Sequence, residues 1–274
     1  MRNWIFGLAL LGAATAAHTQ EAAEIEMWRL DCGTIELSDS ASFSDGHLYD
    51  GVPRTLTDSC YVIRNGDRYL LWDAGLPGAL AGNSMTSGVY TVSVERTIAD
   101  QLGDIGLTPE QINFVGISHY HFDHIGQLTD FAQSTLLINE RDFAAVTEGV
   151  DGDTTAAFTP WLENSERATT FPRDHDVFGD GTVTMLAMPG HTPGHSALLV
   201  RLPETGNILL SGDLYHFREQ IENRGVPQFN TDRADTLASF ERFLQIDQAL
   251  EARIVIQHDP GDVERLPAFP ASAN

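Results

Sequence analysis

The chain is short of cysteine, of basic residues and of long apolar runs. Two cysteines in 274 residues, Cys32 and Cys60, cannot build a disulfide framework or a cysteine-based metal site. Each falls in or beside an expected strand, so one bridge and two buried thiols are both open, and neither is placed to act as a nucleophile. Lysine and arginine number 16 against 39 aspartates and glutamates, a net charge of 16 − 39 = −23. That field repels phosphate backbones and anionic membrane surfaces, so nucleic acid is excluded as an expected partner and a solvated acidic surface is the simpler reading. After the first residues no stretch is long and apolar enough to span a bilayer, so no membrane insertion of the mature chain is expected. Internal repeats, low-complexity tracts and linkers are lacking too.

What remains is the composition of an ordinary folded protein, 42% hydrophobic and 20% charged. Arg2 gives a positive start, Trp4 to Ala17 is a short apolar stretch, and Ala14-Thr15-Ala16 has the small-x-small form of a cleavage site. The reading is a signal peptide over residues 1–17, then one domain over 18–274, exported to the periplasm or secreted.

Tyr61–Ile63 and Tyr69–Trp72, joined around Asn65-Gly66, predict a hairpin. Ser38–Thr57 reads as a long surface loop, Val94–Leu102 as a helix and Ile112–Ile117 as a buried strand. Residues 151–173 read as an irregular insert. Strands are expected at Val183–Met188, Ala197–Leu202, Ile208–Leu210 and Arg253–Gln257, with a helix from Asn230-Thr231-Asp232 to about Leu250. Two clusters of strands, each closing with a helix and a strand, predict an α/β architecture of two sheets between helices.

The stretch His119-Tyr120-His121-Phe122-Asp123-His124 follows directly on an expected buried strand. Imidazole and carboxylate are ligands that zinc, iron, manganese and cobalt accept, and a strand end gives them a rigid support with an open side. His119 and His121, two apart in extended chain, can reach one ion. Asp123 and His124, past a bend at Gly126, can turn toward a second. Three further strand ends carry His191, Asp213 and His258. Ligands arriving from separate strand ends at one sheet edge are a usual way to build an α/β active site.

These residues resemble the metallo-β-lactamase superfamily: H-x-H-x-D-H at His119, His121, Asp123 and His124, then the P-G-H turn at His191, then Asp213 and His258. The resemblance implies an αβ/βα sandwich, two mixed sheets flanked by helices, and a two-metal hydrolase. It places one divalent ion on His119, His121 and His191, another on Asp123, His124 and His258, and Asp213 between them. Zinc is the first expectation, with iron, manganese or cobalt acceptable to the same donors. His195, in a second P-G-H, reads as structural, and Asp73 looks like the family's early aspartate, which orients a ligating histidine.

Paired divalent ions acidify water and polarise a carbonyl, so hydrolysis is the implied reaction class, with Asp123 holding the nucleophile and then protonating the leaving alkoxide. Ser211–His216 is most similar to the N-acyl homoserine lactonases, which open the ring of quorum-sensing lactones, so a small neutral lactone or ester is the expected substrate. Many of those enzymes carry a tyrosine three residues after the shared aspartate to polarise the carbonyl. Here that position is His216 with Tyr215 beside it, and either could be the donor. The alternative is an exported organophosphate or aryl ester hydrolase of the same superfamily.

Overall fold

Along residues 54–65, neighbouring side chains face opposite ways: Tyr61 and Ile63 enter one buried cluster, Cys60 and Val62 another. A strand apolar on both faces must lie between two layers. The computed structural model describes Met1 and residues 24–274, so the leader expected at 1–17 lies, Met1 apart, outside the described residues.

Among the described residues the strands form two sheets. The first holds β1 (Ile25–Leu37), β2 (Arg54–Asn65), β3 (Arg68–Trp72), β4 (Asn83–Ser87), β5 (Tyr90–Val94), β6 (Phe114–Gly116), β7 (Thr135–Asn139) and β8 (Ala168–Phe171), in the order β4-β5-β1-β2-β3-β6-β7-β8. The second holds β9 (His175–Asp176), β10 (Val183–Ala187), β11 (Ser196–Leu202), β12 (Gly206–Leu210) and β13 (Arg253–Val255), ordered β13-β12-β11-β10-β9. Both are mixed: β3, β6, β7 and β8 run parallel, as do β12 and β13, and the other pairs are antiparallel.

Between the sheets, Tyr61, Ile63, Leu70 and Trp72 meet Met185, Leu198, Val200 and Leu210. On the outer face of the first sheet, Val62, Leu71, Val115 and Leu136 pack on Ile98 and Leu102 of α1 (Ile98–Asp104) and on Phe158 and Trp161. On the outer face of the second, Ala197, Leu199 and Leu209 pack on Phe240 and Phe243. The layers are thus helix, sheet, sheet, helix, the sandwich the sequence resemblance implied. Removing one of these buried aromatic rings costs roughly 3–5 kcal/mol in a packed core.

Helices α2 (Phe122–Ile125), α3 (Glu140–Glu148), α4 (Gly152–Ala157), α5 (Thr159–Glu163), α6 (Glu219–Asn223), α7 (Arg233–Leu250) and α8 (Pro260–Val263) complete the described α-helices, and short 3-10 turns lie between the elements. Asp232 caps α7 through its carboxylate on the Asp235 N–H, 2.8 Å, as the N-cap residues led one to expect. None of the described helices is long and apolar enough to cross a membrane.

Four sequence readings need correction. The loop after β1 ends at Pro53, because Arg54–Thr57 pair with Leu37–Thr34 as strand. The helix read from Val94 begins at Ile98, since Tyr90–Val94 pair with β1 and β4. Strand β6 is shorter than the apolar run that suggested it. The insert at 151–173 is ordered: α4, α5 and β8 occupy it, Phe158 and Trp161 are fully buried, and the Trp161 indole N–H donates to the Ser134 carbonyl at 3.0 Å. Of the two possibilities for the cysteines, the bridge is the one formed, Cys32 to Cys60 with Cα atoms 5.8 Å apart, beside a β1–β2 bulge between Asp31 and Gly33.

Candidate metal centre

The loops that leave β3, β6, β10 and β12 and the end of β13 converge at one edge of the sandwich. The loop after β6 is fixed to the loop after β3: Ser118 N–H donates to Asp73 Oδ1 at 2.7 Å, Ala74 N–H to the His124 carbonyl at 2.8 Å, and Gly126 N–H to the Gly75 carbonyl at 2.6 Å. Gly126 keeps an ordinary helical φ of −63°. It is needed for closeness and not for a bend, because a Cβ there would lie 2.2 Å from Pro77 N. Gly190 does need its freedom. Its φ is +133°, and a Cβ would meet Thr236 N of α7 at 2.3 Å, so the turn carrying His191 seats directly on that helix.

His119, His121, His191 and Asp213 form one group of donors, and Asp123, His124, Asp213 and His258 another, the atoms of each lying within 4.8 Å of one another. In the first, His191 Nε2 lies 3.0 Å from His119 Nε2 and 2.9 Å from His121 Nδ1, and those two are 3.0 Å apart. Asp213 Oδ2 is 3.3 Å from His191 Nε2 and 3.6 Å from His119 Nε2. In the second, Asp213 Oδ1 is 2.8 Å from His258 Nε2 and 3.0 Å from His124 Nε2. Asp123 Oδ2 stands 3.8 Å and 3.9 Å from the same two nitrogens. One carboxylate therefore faces both groups, one oxygen to each.

Whether these donors suit metal ions can be tested on what stands behind them. His191 Nδ1 lies 2.9 Å from Asn230 Oδ1, His258 Nδ1 2.7 Å from the Thr57 carbonyl, and His124 Nδ1 2.9 Å from Asp73 Oδ2. Each outer partner is an acceptor, so Nδ1 carries a proton and Nε2 is the ring atom turned inward, toward the place a cation would occupy. Asp213 Oδ1 is buried and makes no hydrogen bond despite its near histidines. Imidazole nitrogens converging on a buried carboxylate are a donor set that a cation satisfies, taking the place of any protons held there, so the residues fit a pair of metal ions.

The electrostatics of the two groups differ. Burial holds the imidazole of His119 well below its ordinary value and pulls His121 down to about 3, with neighbouring imidazoles adding to both. At His124 and His258 burial acts the same way but carboxylates outweigh it. Asp213, Asp73 and Asp123 hold His124 well above the usual imidazole value, and chiefly Asp213 lifts His258 to about 9. Asp213 is pushed up by its own burial, yet His258 and His124 overcome this and keep it well below the carboxylate range.

His195 is enclosed and stays out of both groups. Its Nδ1 donates to the Met188 carbonyl at 3.0 Å, its Nε2 accepts from the Asp213 N–H at 2.9 Å, and burial pulls its pKa to about 3. The neutral ring thus fixes the main chain of Asp213. His216 stands at the site, with Nε2 3.1 Å from Asp213 Oδ2 and its ring parallel to His258 at 5.7 Å. Tyr215 does not, which corrects its candidacy as a carbonyl donor. Its ring stacks on Phe240 at 4.4 Å in the core behind the second sheet, and its hydroxyl is buried without a partner. The alternation of side chains along extended backbone sends the two neighbours to opposite sides. Asn230 and the Thr57 carbonyl, which stand behind His191 and His258, carry no sign of this role in the sequence, where Asn230 reads only as part of a helix cap.

A cleft of about 260 Å³ opens onto His121, Asp123, Asp213, His216 and His258. Its walls are apolar: Ile35, Phe43, Leu56, Tyr90, Phe122 and Phe229. A wider depression of about 480 Å³ by Arg29, Asp31, Gln101 and Glu264 lies outside both ligand groups.

Residues 54–258 match the Metallo-beta-lactamase superfamily, and the chain belongs to it. Within that family it is a hydrolase whose two His/Asp groups are consistent with a dinuclear centre. It is similar to the N-acyl homoserine lactonase AttM of Rhizobium johnstonii, 26% identical over 253 residues, covering 86% of this chain and 94% of that protein. With the AttM lactonase of Rhizobium radiobacter it shares 31% identity over 171 residues, 61% of this chain, and spans about 65% of the relative's length. Among solved structures, a quorum-quenching N-acyl homoserine lactone hydrolase superposes with a TM-score of 0.77 at 22% identity, over 92% of this chain and 99% of that one. The dizinc lactonase AidC superposes at 0.65 with 16% identity, over 92% and 90% of the two chains. At such identities these structures establish the common fold.

Proposed function

We propose that the protein hydrolyses the lactone ring of N-acyl homoserine lactones, with two zinc ions in the paired groups. The observation that carries this reading is the cleft, whose apolar walls end on the carboxylate facing both groups. A molecule with a small polar ring and an apolar acyl arm matches that change of character along one short path. The named activity of the AttM relatives supports the substrate class, and the five imidazoles and two carboxylates are a donor set zinc accepts.

When bound, the ions supply an acidified water and an electrophilic pull on the carbonyl. The chain's own groups do the rest. Asp123 is the more exposed carboxylate of its group, at 8%, and lines the cleft. It takes a proton from water as the hydroxyl adds to the carbonyl carbon, and returns it to the ring oxygen as the carbon–oxygen bond breaks. His216 lines the cleft with Nε2 3.1 Å from Asp213 Oδ2, and its ring is assigned the role of donating to the carbonyl oxygen as charge builds there. Phe43, edge-on to the His216 ring at 4.9 Å, helps hold it.

The test is a comparison of rates on acyl homoserine lactones of several chain lengths, an aryl ester, a phosphotriester, a thioester and a β-lactam. Homoserine lactones should be turned over fastest. A preference for the phosphotriester or the aryl ester over every lactone would replace this reading with the alternative hydrolase.

We propose also that the protein acts outside the cytoplasm. The leader-like start at Arg2–Ala17 supports this, as does the Cys32–Cys60 bridge, which persists in oxidising compartments. Protein recovered from its native host should begin near Ala17 or His18. Recovery with Met1 intact would overturn the proposal.

A further inference from the structure

Gln257 is neutral, fully enclosed and outside both ligand groups, yet every hydrogen-bonding position of its amide is used. Oε1 accepts from the Trp72 indole N–H at 2.8 Å and from the Gly212 N–H at 3.0 Å. Nε2 donates to the Ser59 carbonyl at 3.2 Å and to Asp73 Oδ2 at 3.0 Å. Turned over, the amide would face two donors with its own NH2 and two acceptors with its oxygen, so only one orientation is possible. Its main-chain carbonyl accepts from the hydroxyls of Ser59, 2.8 Å, and Thr57, 3.2 Å.

Three of these partners lead to ligands of the second group, of which Asp213 is shared with the first. Asp73 Oδ2 is the oxygen on which His124 Nδ1 rests. Gly212 precedes Asp213 directly. The Thr57 carbonyl backs His258 Nδ1, and His258 is the next residue after Gln257. The first group is backed mainly elsewhere: His191 rests on Asn230, and His119 Nδ1 lies 3.0 Å from the Ser118 hydroxyl, which also stands 3.3 Å from His124 Nδ1, so the two backings meet at Ser118, whose N–H donates to Asp73.

We infer that Gln257 is a positioning residue for the second metal ion, fixing in one amide the approach of His124, Asp213 and His258. The inference rests on the two-ion reading of the site and is independent of the substrate. Gln257→Glu keeps the acceptor for Trp72 and Gly212 but turns the donor into an oxygen facing Asp73 and Ser59. Gln257→Met keeps the length and loses both.

The experiment is competitive titration of metal-stripped protein with Zn2+ against a chromophoric chelator, with elemental analysis of the ions retained and circular dichroism as a check on folding. Wild-type protein should take up two ions. Both variants should keep the first near its wild-type affinity and bind the second about 10- to 100-fold more weakly, the usual effect of losing a partner behind a ligand. Folded variants that hold both ions as the wild type does, or weaken both alike, would overturn the inference. If neither amide variant folds, Ser59→Ala, which removes one donor from the Gln257 carbonyl, should weaken the second ion and spare the first, and an unchanged second ion would count against the idea. A wild-type protein that takes up one ion would overturn the metal pair itself, and the inference with it.

Discussion

The first ligand group is backed by neutral groups and has one partly buried member, His121; the second is wholly buried and surrounded by carboxylates. In the first, burial decides the charge of His119 and His121, so these two stay neutral and present lone pairs. In the second, Asp213, Asp73 and Asp123 outweigh burial, so without metal its histidines hold protons. One fold has thus built a pocket ready for a cation beside a pocket that must first release protons to take one.

Removing what the groups share should have the largest effect. Asp213→Ala should lose both ions together and lower hydrolysis by several orders of magnitude, whereas His258→Ala and His191→Ala should each release mainly one ion, measured by elemental analysis. If Asp213→Ala kept one ion at full affinity, the groups would not be joined through that carboxylate.

The next effect concerns His216, which lies against both groups. His216→Ala should leave metal content intact and lower kcat/KM on lactones by about ten- to a thousand-fold, the span from a weak to a full carbonyl donor. An unchanged kcat/KM would remove it from the reaction.

A smaller effect should appear only in metal-stripped protein. His258 is raised to about 9 in the folded chain, so its proton is held more tightly there than in the unfolded chain. The stability this gives is fully present below the ordinary imidazole value of 6.5 and is lost as pH rises through about 9. Thermal melts of stripped protein should therefore fall across that window, while loaded protein lacks this decline because the ion has replaced the proton. Parallel profiles would erase the contrast between the groups.

The smallest effect should be at Tyr215. Tyr215→Phe removes a buried hydroxyl without a partner, so lactone turnover should hardly change and stability should rise by about 1 kcal/mol, read from denaturant midpoints. A large fall in turnover would restore Tyr215 as a candidate donor.

The seven residues that the fold gathers into the two groups were legible because they are charged or imidazole side chains at strand ends, four of them within His119–His124. Helix α7 was legible through Asp232 and its length. The ordered insert was not: α4 and α5 are too short to show a helical period, and Trp161 is anchored by a carbonyl distant in sequence. The hairpin β4–β5 was missed because every residue of Asn83–Ser87 is exposed, so no alternation marks it. Gln257 and Asn230 carried no local signal, since a neutral amide acquires its role only from the groups the fold brings to it. Separating Tyr215 from His216 required knowing which side of the chain faced the cleft.

Among the described residues strand β13 pairs with a single neighbour, β12, through Ile208↔Arg253, Leu209↔Ile254 and Leu210↔Val255, and it delivers His258. The first group closes over 72 residues from His119 to His191, the second over 134 from His124 to His258. Loop-closure entropy separates the two by only about 0.6 kcal/mol, so the difference between them is one of timing more than of cost. A chain emerging from the ribosome can bring His119, His121 and His191 together while its last strand is still being made, but the second group must wait for β13 to dock. Retention of the second ion is then a marker of a chain folded to its final strand, and a product truncated before His258 would keep most of the sandwich while losing the partner on which paired-ion chemistry depends.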